Sequence, residues 1–435
     1  MIPGSGDAAR AGEDSPERVQ SQGQQPDEQL DDQPAELPIG RRVAYWRERR
    51  RMSQQVFADR LGRSKSWVEK VERGVRRLDR FTVVNEIADV LQVDVQLLLG
   101  RAPHRTDSAL VDQVEVEEIR SALERYESIG AFLAGGPEPA PVDQLRVAVG
   151  EAWRAFHCAR YGELSRKLPR LLRDVQTLDA ARPDTAAAHL LSQVYQLMSA
   201  LLRKVGEHEL CWVAADRSIA AAYRSGDRLL AGAGAYRVGA AMLALGRVRP
   251  ALEVSIMVAN RLVAGPEPEG PAQVAVQGML LLNGALAAAR LGDGVTARDL
   301  LGGAARTAAE LGHDADLYGT WFGPVNVELH RVSAAVELGD GRMAVAIHER
   351  LDRQAFAAMP PERRAHHHLE VARAYLRIGD AGRAGEMLLL ADLEAPAEVR
   401  ARPVAHEVLS DILRRARGTL PAPITDLAET LDVSV

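Results

Sequence analysis

The chain has 435 residues, room for two or three domains, and is 46% apolar but only 4% aromatic. With alanine and leucine dominant, that composition favours helices with small-residue interfaces over sandwiches or barrels. Two cysteines, Cys158 and Cys211, give no disulfide framework. The first thirty residues lack the apolar centre of a signal peptide, and no run of about 18 apolar residues is present to span a bilayer, so a soluble, cytoplasmic chain is expected.

The formal charge of -6 conceals an asymmetry. Residues 1–38 carry nine Asp/Glu and two Arg, a net of -7, whereas residues 39–101 carry fifteen Lys/Arg and eight Asp/Glu, a net of +7. A small basic block in an acidic protein is the electrostatic footprint of a nucleic-acid site. Lysine sharpens it: of four lysines in the chain, two are Lys65 and Lys70.

In chain order, residues 1–38 hold Gly, Pro, Gln and acids with almost nothing to bury, which predicts a disordered acidic tail. It reads either as a solvated leader or as an acidic arm that competes with DNA for the basic block. From Ile39 the apolar period turns helical, with Val43 and Trp46 on one face. Ser53 predicts an N-cap for a second helix carrying Phe57, Ala58 and Leu61, and Gly62 ends it. Ser64 caps a third, "SKSWVEKVE", ended by Gly74. Phe81, Val84, Ile87, Ala88 and Leu91 mark a fourth, and "DVQLLLG" a fifth. Five short helices in residues 39–101 can enclose one core.

Residues 102–141 predict a connecting helix, spanning 107–133, and a linker. From 142 to 416 helical pairs recur, each with a Leu/Val-Gly or similar turn, at Gly162, Gly206, Gly246, Gly292, Gly339 and Gly379. Their separations of 44, 40, 46, 47 and 40 residues are a repeat signal for about six hairpins, with alanines such as Ala251, Ala297 and Ala344 where two helices press together. Residues 417–435 are left as a tail. The fold class is therefore all-α.

Residues 39–100 resemble a helix-turn-helix of the phage-repressor (Cro, or xenobiotic-response-element) type, on "RRVAYWRERRRMSQQVFADRLGRSKSWVEKVERG" and "RFTVVNEIADVLQVDVQLLLG". Residues 142–416 resemble tetratricopeptide repeats, though the unit is longer than 34 residues and most Trp and Pro positions of the repeat signature are missing. The combination resembles actinobacterial regulators of this layout, "WFGPVNVELHRV" included. It is more distantly similar to the RRNPP peptide-pheromone sensors, which bind a peptide in the concave repeat surface. The resemblance implies that the third helix enters the major groove, with Lys65, Ser66 and Lys70 on base edges. It also implies backbone contacts from Gln54, Ser64, Trp67, Arg73, Arg76 and Arg77, and a structural pair between Arg47 and Glu72. Trp67 replaces the family's small polar residue. It either lies against the sugar-phosphate backbone or packs on the second helix. A homodimer on a pseudo-palindromic operator in double-stranded DNA is the implied partner arrangement.

Asparagine is rare in the chain, and three of its four copies, Asn260, Asn283 and Asn326, fall in the repeats. Asn283 together with Tyr318, Trp321, Phe322, Asn326, His330 and Arg331 forms the candidate ligand site, for a peptide or small-molecule effector. The same aromatic residues read equally as inter-repeat packing. Trp153, His157 and Tyr161 read as a repeat interface. Adjacent histidines at 366–368 point in different directions along a helix, so neither a metal nor a cofactor is expected. No phosphate loop, nucleophile elbow or catalytic triad is found, so an enzyme is not expected. The readings are a ligand-responsive transcriptional regulator, a protein-interaction hub localised by its head, or a constitutive DNA-binding dimer.

Overall fold

Serine caps lay out the N-terminal end of the chain. The computed structural model describes residues 37–50, 52–76, 78, 81–91, 93, 98, 111, 113–125, 137–264, 270–416, 420–431 and 433. The chain divides into two units, Met1–Ala102 and Pro103–Val435. In the first, α1 (Ile39–Arg49), α2 (Gln54–Arg60), α3 (Lys65–Glu72) and α4 (Phe81–Leu91) surround a core of Val43, Phe57, Val68, Ile87 and Leu91. The Ser53 hydroxyl accepts the Val56 N–H and the Ser64 hydroxyl accepts the Trp67 N–H, both at 3.2 Å. Each satisfies a donor that a helix start would otherwise leave unpaired. α1 lies so close to α3 that a Cβ on Gly40 would fall 2.1 Å from the Val71 carbonyl oxygen. The acidic tail through residue 36 lies outside the described residues. So does the expected fifth helix, except Leu98, which is buried in this core.

The second unit is all helical among its described residues, apart from turns and a lone bridge between Ala315 and Phe322. Its first helix, Gln113–Glu124, is shorter than the expected span of 107–133. It is also no free connector: Ile119 and Leu123 are buried in the repeat core, and Arg217 donates to the Leu123 carbonyl. An apolar stripe of that kind needs a partner surface. Six helical pairs follow, with first helices Val142–His157, Thr185–Lys204, Arg228–Ala244, Pro271–Arg290, Pro324–Glu337 and Pro361–Arg377. Beyond them, Pro403–Arg415 packs on the sixth pair, and Ala422–Thr430 sets Ile424 against Gly385 of Ala381–Glu394. The packed structure thus continues past residue 416.

Five of the six marker glycines turn between paired helices with positive φ: Gly206, Gly246, Gly292, Gly339 and Gly379. After the last three, Asp293, Asp340 and Asp380 cap the returning helix, each accepting a backbone N–H at 2.9 Å. The marker at Gly162 is a correction. Gly162 sits inside the helix Tyr161–Ala181, and Ala159, with φ 54°, makes the turn instead. Ala251, Ala297 and Ala344 are fully buried where paired helices meet.

The repeats close on themselves through buried charge. Lys204, at the end of the second pair's first helix, pairs with Glu362 and, at 2.8 Å, with Glu398. Glu398 also accepts from the Tyr161 hydroxyl and, at 2.6 Å, from Arg402. Residues 237 positions apart are thereby joined, and Lys204, Glu398 and their three further partners, Glu362, Tyr161 and Arg402, all lie in the repeat unit. The helix Pro271–Arg290 is long and apolar enough to cross a membrane, but most of it is buried among its neighbours.

Lys204→Met leaves two buried carboxylates without their shared cation, and is expected to cost about 3–5 kcal/mol in urea unfolding. Gly278→Ala places a methyl within 1.9 Å of the Phe322 ring. It is expected to cost about 1–3 kcal/mol in the same measurement, because a packed core yields little.

Candidate nucleic-acid interface and repeat-unit cavity

α3 is fixed from behind and bare in front. Glu72, at its end, takes two bonds from Arg47, at 2.6 and 3.1 Å, and a third from the Gln54 side-chain amide at 2.7 Å. Arg47 also donates to the Met52 carbonyl, tying α1, the entry to α2 and α3 together. Bidentate, charge-assisted bonding of this kind fixes orientation as well as energy. Val68 and Val71 face the core. Lys65, Ser66 and Lys70 are exposed, with Lys65 3.6 Å from Glu69 on its own helix. Arg73 and Arg76 are exposed beyond the helix end, and Arg77 lies outside the described residues.

Trp67 is half-buried. Part of it packs on the core of the first unit, while the guanidinium groups of Arg63 and Arg76 lie 5.7 and 5.8 Å from its ring. The indole therefore both packs and holds two cations beside α3 by cation–π attraction. The Ser64 hydroxyl is engaged as the cap of α3, and Gln54 is engaged with Glu72.

The repeat unit holds a cavity of about 340 Å³ on its inner face, lined by side chains from six successive segments. Lys204 and Arg203 come from the second pair, Tyr236 from the third, and Asn283 and Arg290 from the fourth. Asn326 and His330 come from the fifth, Glu362, Arg363 and His366 from the sixth, and Arg402 from the segment after it. Of the candidate ligand residues, Asn283, Asn326 and His330 line this cavity together. Trp321 lines a separate cleft of about 1560 Å³ with the first pair and residues 357–361, and Tyr318 lines a third hollow. Phe322 is fully buried against Gly278, and Arg331 pairs with Glu328 at 2.8 Å. Trp153 stacks on His157 5.8 Å away, while Tyr161 is buried on Glu398.

Polar groups around the cavity are unevenly satisfied. The Asn326 amide nitrogen donates to the Trp321 carbonyl at 2.8 Å, which fixes the amide orientation. Its oxygen, in a residue with no exposure, has no hydrogen-bond partner. Asn283 donates to Ser255 at 2.9 Å. Arg363 donates to the Thr320 carbonyl at 3.2 Å. The Arg203 side chain makes no hydrogen bond or ion pair among the described residues, although its neighbour in sequence, Lys204, makes two ion pairs. The basic cluster of Arg203, Arg363 and Arg402 was missed by reading for asparagines and aromatics. One signal was available: basic residues precede the turn glycines at Arg203 and Arg290, where they also complement helix C-termini.

Burial and nearby cations keep the histidines neutral. Burial, then Arg363, brings His330 down to about 4, and burial with the neighbouring Arg402 and Lys204 takes His366 well below its ordinary value. Farther along the same helix burial, then His348, brings His368 to about 4. Glu362 behaves oppositely: burial works to raise its carboxyl, but Lys204 and Arg363 outweigh it and hold the group ionised below the usual carboxylate range. The unfolded chain binds protons on His330 and His368 below about pH 6.5, while the folded chain resists until about pH 4. Stability is therefore expected to be full above pH 6.5 and to fall as pH drops from 6.5 towards 4. The slope is about 1.4 kcal/mol per pH unit for each proton so excluded. Melting curves of the wild type and His330→Gln across that range check this, the variant showing the shallower fall.

Comparison with known proteins adds one family. The helix-turn-helix domain family matches residues 38–99. No curated protein sequence matches the chain. The crystal structure of Bacillus thuringiensis PlcR in complex with the peptide PapR7 and DNA is similar at 13% identity and a TM-score of 0.33, over 74% of this chain and 97% of that one. A likeness that low carries neither fold detail nor ligand across. The stretch from 38 to 99, with its capped α2 and α3 and the glycine turn between them, is a helix-turn-helix domain.

Proposed function

We propose that the chain is a transcriptional regulator, not an enzyme, whose helix-turn-helix head reads double-stranded DNA and whose repeat unit takes a small effector in its inner cavity. The observation that carries the reading is the bare face of α3, backed by the Arg47–Glu72–Gln54 lock, in a domain of helix-turn-helix type. Lys65, Ser66 and Lys70 reach base edges, where lysine donates to guanine O6 and N7. Arg73, Arg76 and the Trp67 indole sit on the phosphate backbone, with Ser64 and Gln54 at the helix starts presenting their backbone amides to it. A homodimer sets two such heads on a pseudo-palindrome about one helical turn apart. The cavity supports the effector half of the reading, because buried polar groups without partners are expensive unless something fills the space between them.

A DNA fragment retained by the wild type supplies the probe, read by fluorescence anisotropy against salt. Lys65→Ala and Lys70→Ala are each expected to cost about 1–3 kcal/mol on that fragment and little on random DNA. Arg76→Ala is expected to weaken binding to all fragments alike and to reduce the salt slope by about 1. Equal losses on every sequence from the lysine variants would sink the assignment of base reading to α3.

A further inference from the structure

The inner cavity has the wrong charge balance for an empty space. Five basic residues line it, Arg203, Lys204, Arg290, Arg363 and Arg402, against the carboxylates of Glu362 and Glu407. Lys204 and Arg402 are spent on Glu362 and Glu398. Arg290 has Glu337 at 3.5 Å, and Arg363 has Glu362 at 3.5 Å. Arg203 has no counter-charge, and it adds to the positive field that acts on His330 and His366. Partly buried cations crowded this way repel one another, and a protein tolerates the cost where an anion relieves it. In Asn326, which lines the same cavity, the side-chain oxygen stands unpaired and wholly buried, asking for a donor. Tyr236, Leu286 and Leu329 supply apolar wall.

We infer that this cavity binds a small carboxylate that carries an uncharged N–H or O–H donor next to the acid and an apolar side chain, as in an N-acylated amino acid or a 2-hydroxy acid. The carboxylate takes Arg203 and Arg363, the donor takes the Asn326 oxygen, and the apolar group lies on Leu286 and Leu329. A free ammonium beside the acid is disfavoured by the same cations. The volume of about 340 Å³ is at the lower end for ligand pockets and suits a molecule of that size rather than a long extended peptide. This rests on the effector reading above and names its chemical class.

The test is calorimetric titration and thermal melting of the full chain with N-acetyl-L-leucine as probe. N-acetyl-L-leucinamide lacks the carboxylate, 4-methylpentanoate lacks the donor, and the peptide Gly-Gly-Gly-Leu presents the same end on a longer chain. Saturable binding of N-acetyl-L-leucine, at least tenfold weaker for the amide and for 4-methylpentanoate, is the expected result. Preference for the tetrapeptide over N-acetyl-L-leucine would move the source from a free metabolite to a peptide terminus. Arg203→Gln is expected to raise the melting temperature of the unliganded protein, since it removes an unpaired cation, while weakening the probe at least tenfold. A lower melting temperature would make Arg203 a structural residue and overturn the inference. Equal binding of the carboxylate and the amide would also overturn it, while leaving an effector site in place. Binding of the probe with no change in DNA affinity would instead overturn the sensing role and leave the ligand class standing.

Discussion

Everything in the repeat unit depends on the buried ion cluster of Lys204, Glu362, Glu398 and Arg402. Helical pairs stacked only on their neighbours would leave two open ends. Here the second pair is pinned to the sixth and to the segment beyond it, and Tyr161 of the first pair bonds to the same Glu398. A charge cluster this deep is a poor source of net stability, because desolvation offsets most of the attraction. What it supplies is a long-range tie: Lys204, buried, meets Glu362 and Glu398 from distant parts of the chain.

That closure creates the cavity and also couples it to a strained loop. Tyr318 and Trp321 lie in the left-handed region, at φ 54° and 47°, where bulky residues store strain. The loop is held there by groups that also line the cavity: Arg363 on the Thr320 carbonyl and Asn326 on the Trp321 carbonyl. Asp314 adds two bonds to the backbone of Val325 and Asn326 at 3.0 Å. A molecule that drew Arg363 or the Asn326 amide inward would therefore act on the backbone of the loop.

Much of this was legible in the sequence, for physical reasons. Caps and glycines act over three or four residues, so Ser53, Gly62, Ser64 and Gly74 marked the helices of the head. The glycine period exposed the repeats, with Gly162 misleading because Ala159 could adopt the turn in its place. Asn283, Asn326 and His330 stood out by rarity, and the structure brings them to one cavity. The closing cluster was illegible, since Lys204 and Glu398 are 194 residues apart and nothing local links a lone buried lysine to its acids. Phe322 and Trp321 adjoin in sequence yet serve different spaces, because the irregular loop has no period from which facing could be read.

The most direct measurement is to pass sheared genomic DNA over the purified full-length protein and sequence what is retained. The account predicts enrichment of a two-fold symmetric motif, with a half-site recurring about one helical turn away. Retention of fragments without any shared motif, by folded protein at low salt and by residues 1–102 alone, would contradict the central claim that α3 reads sequence.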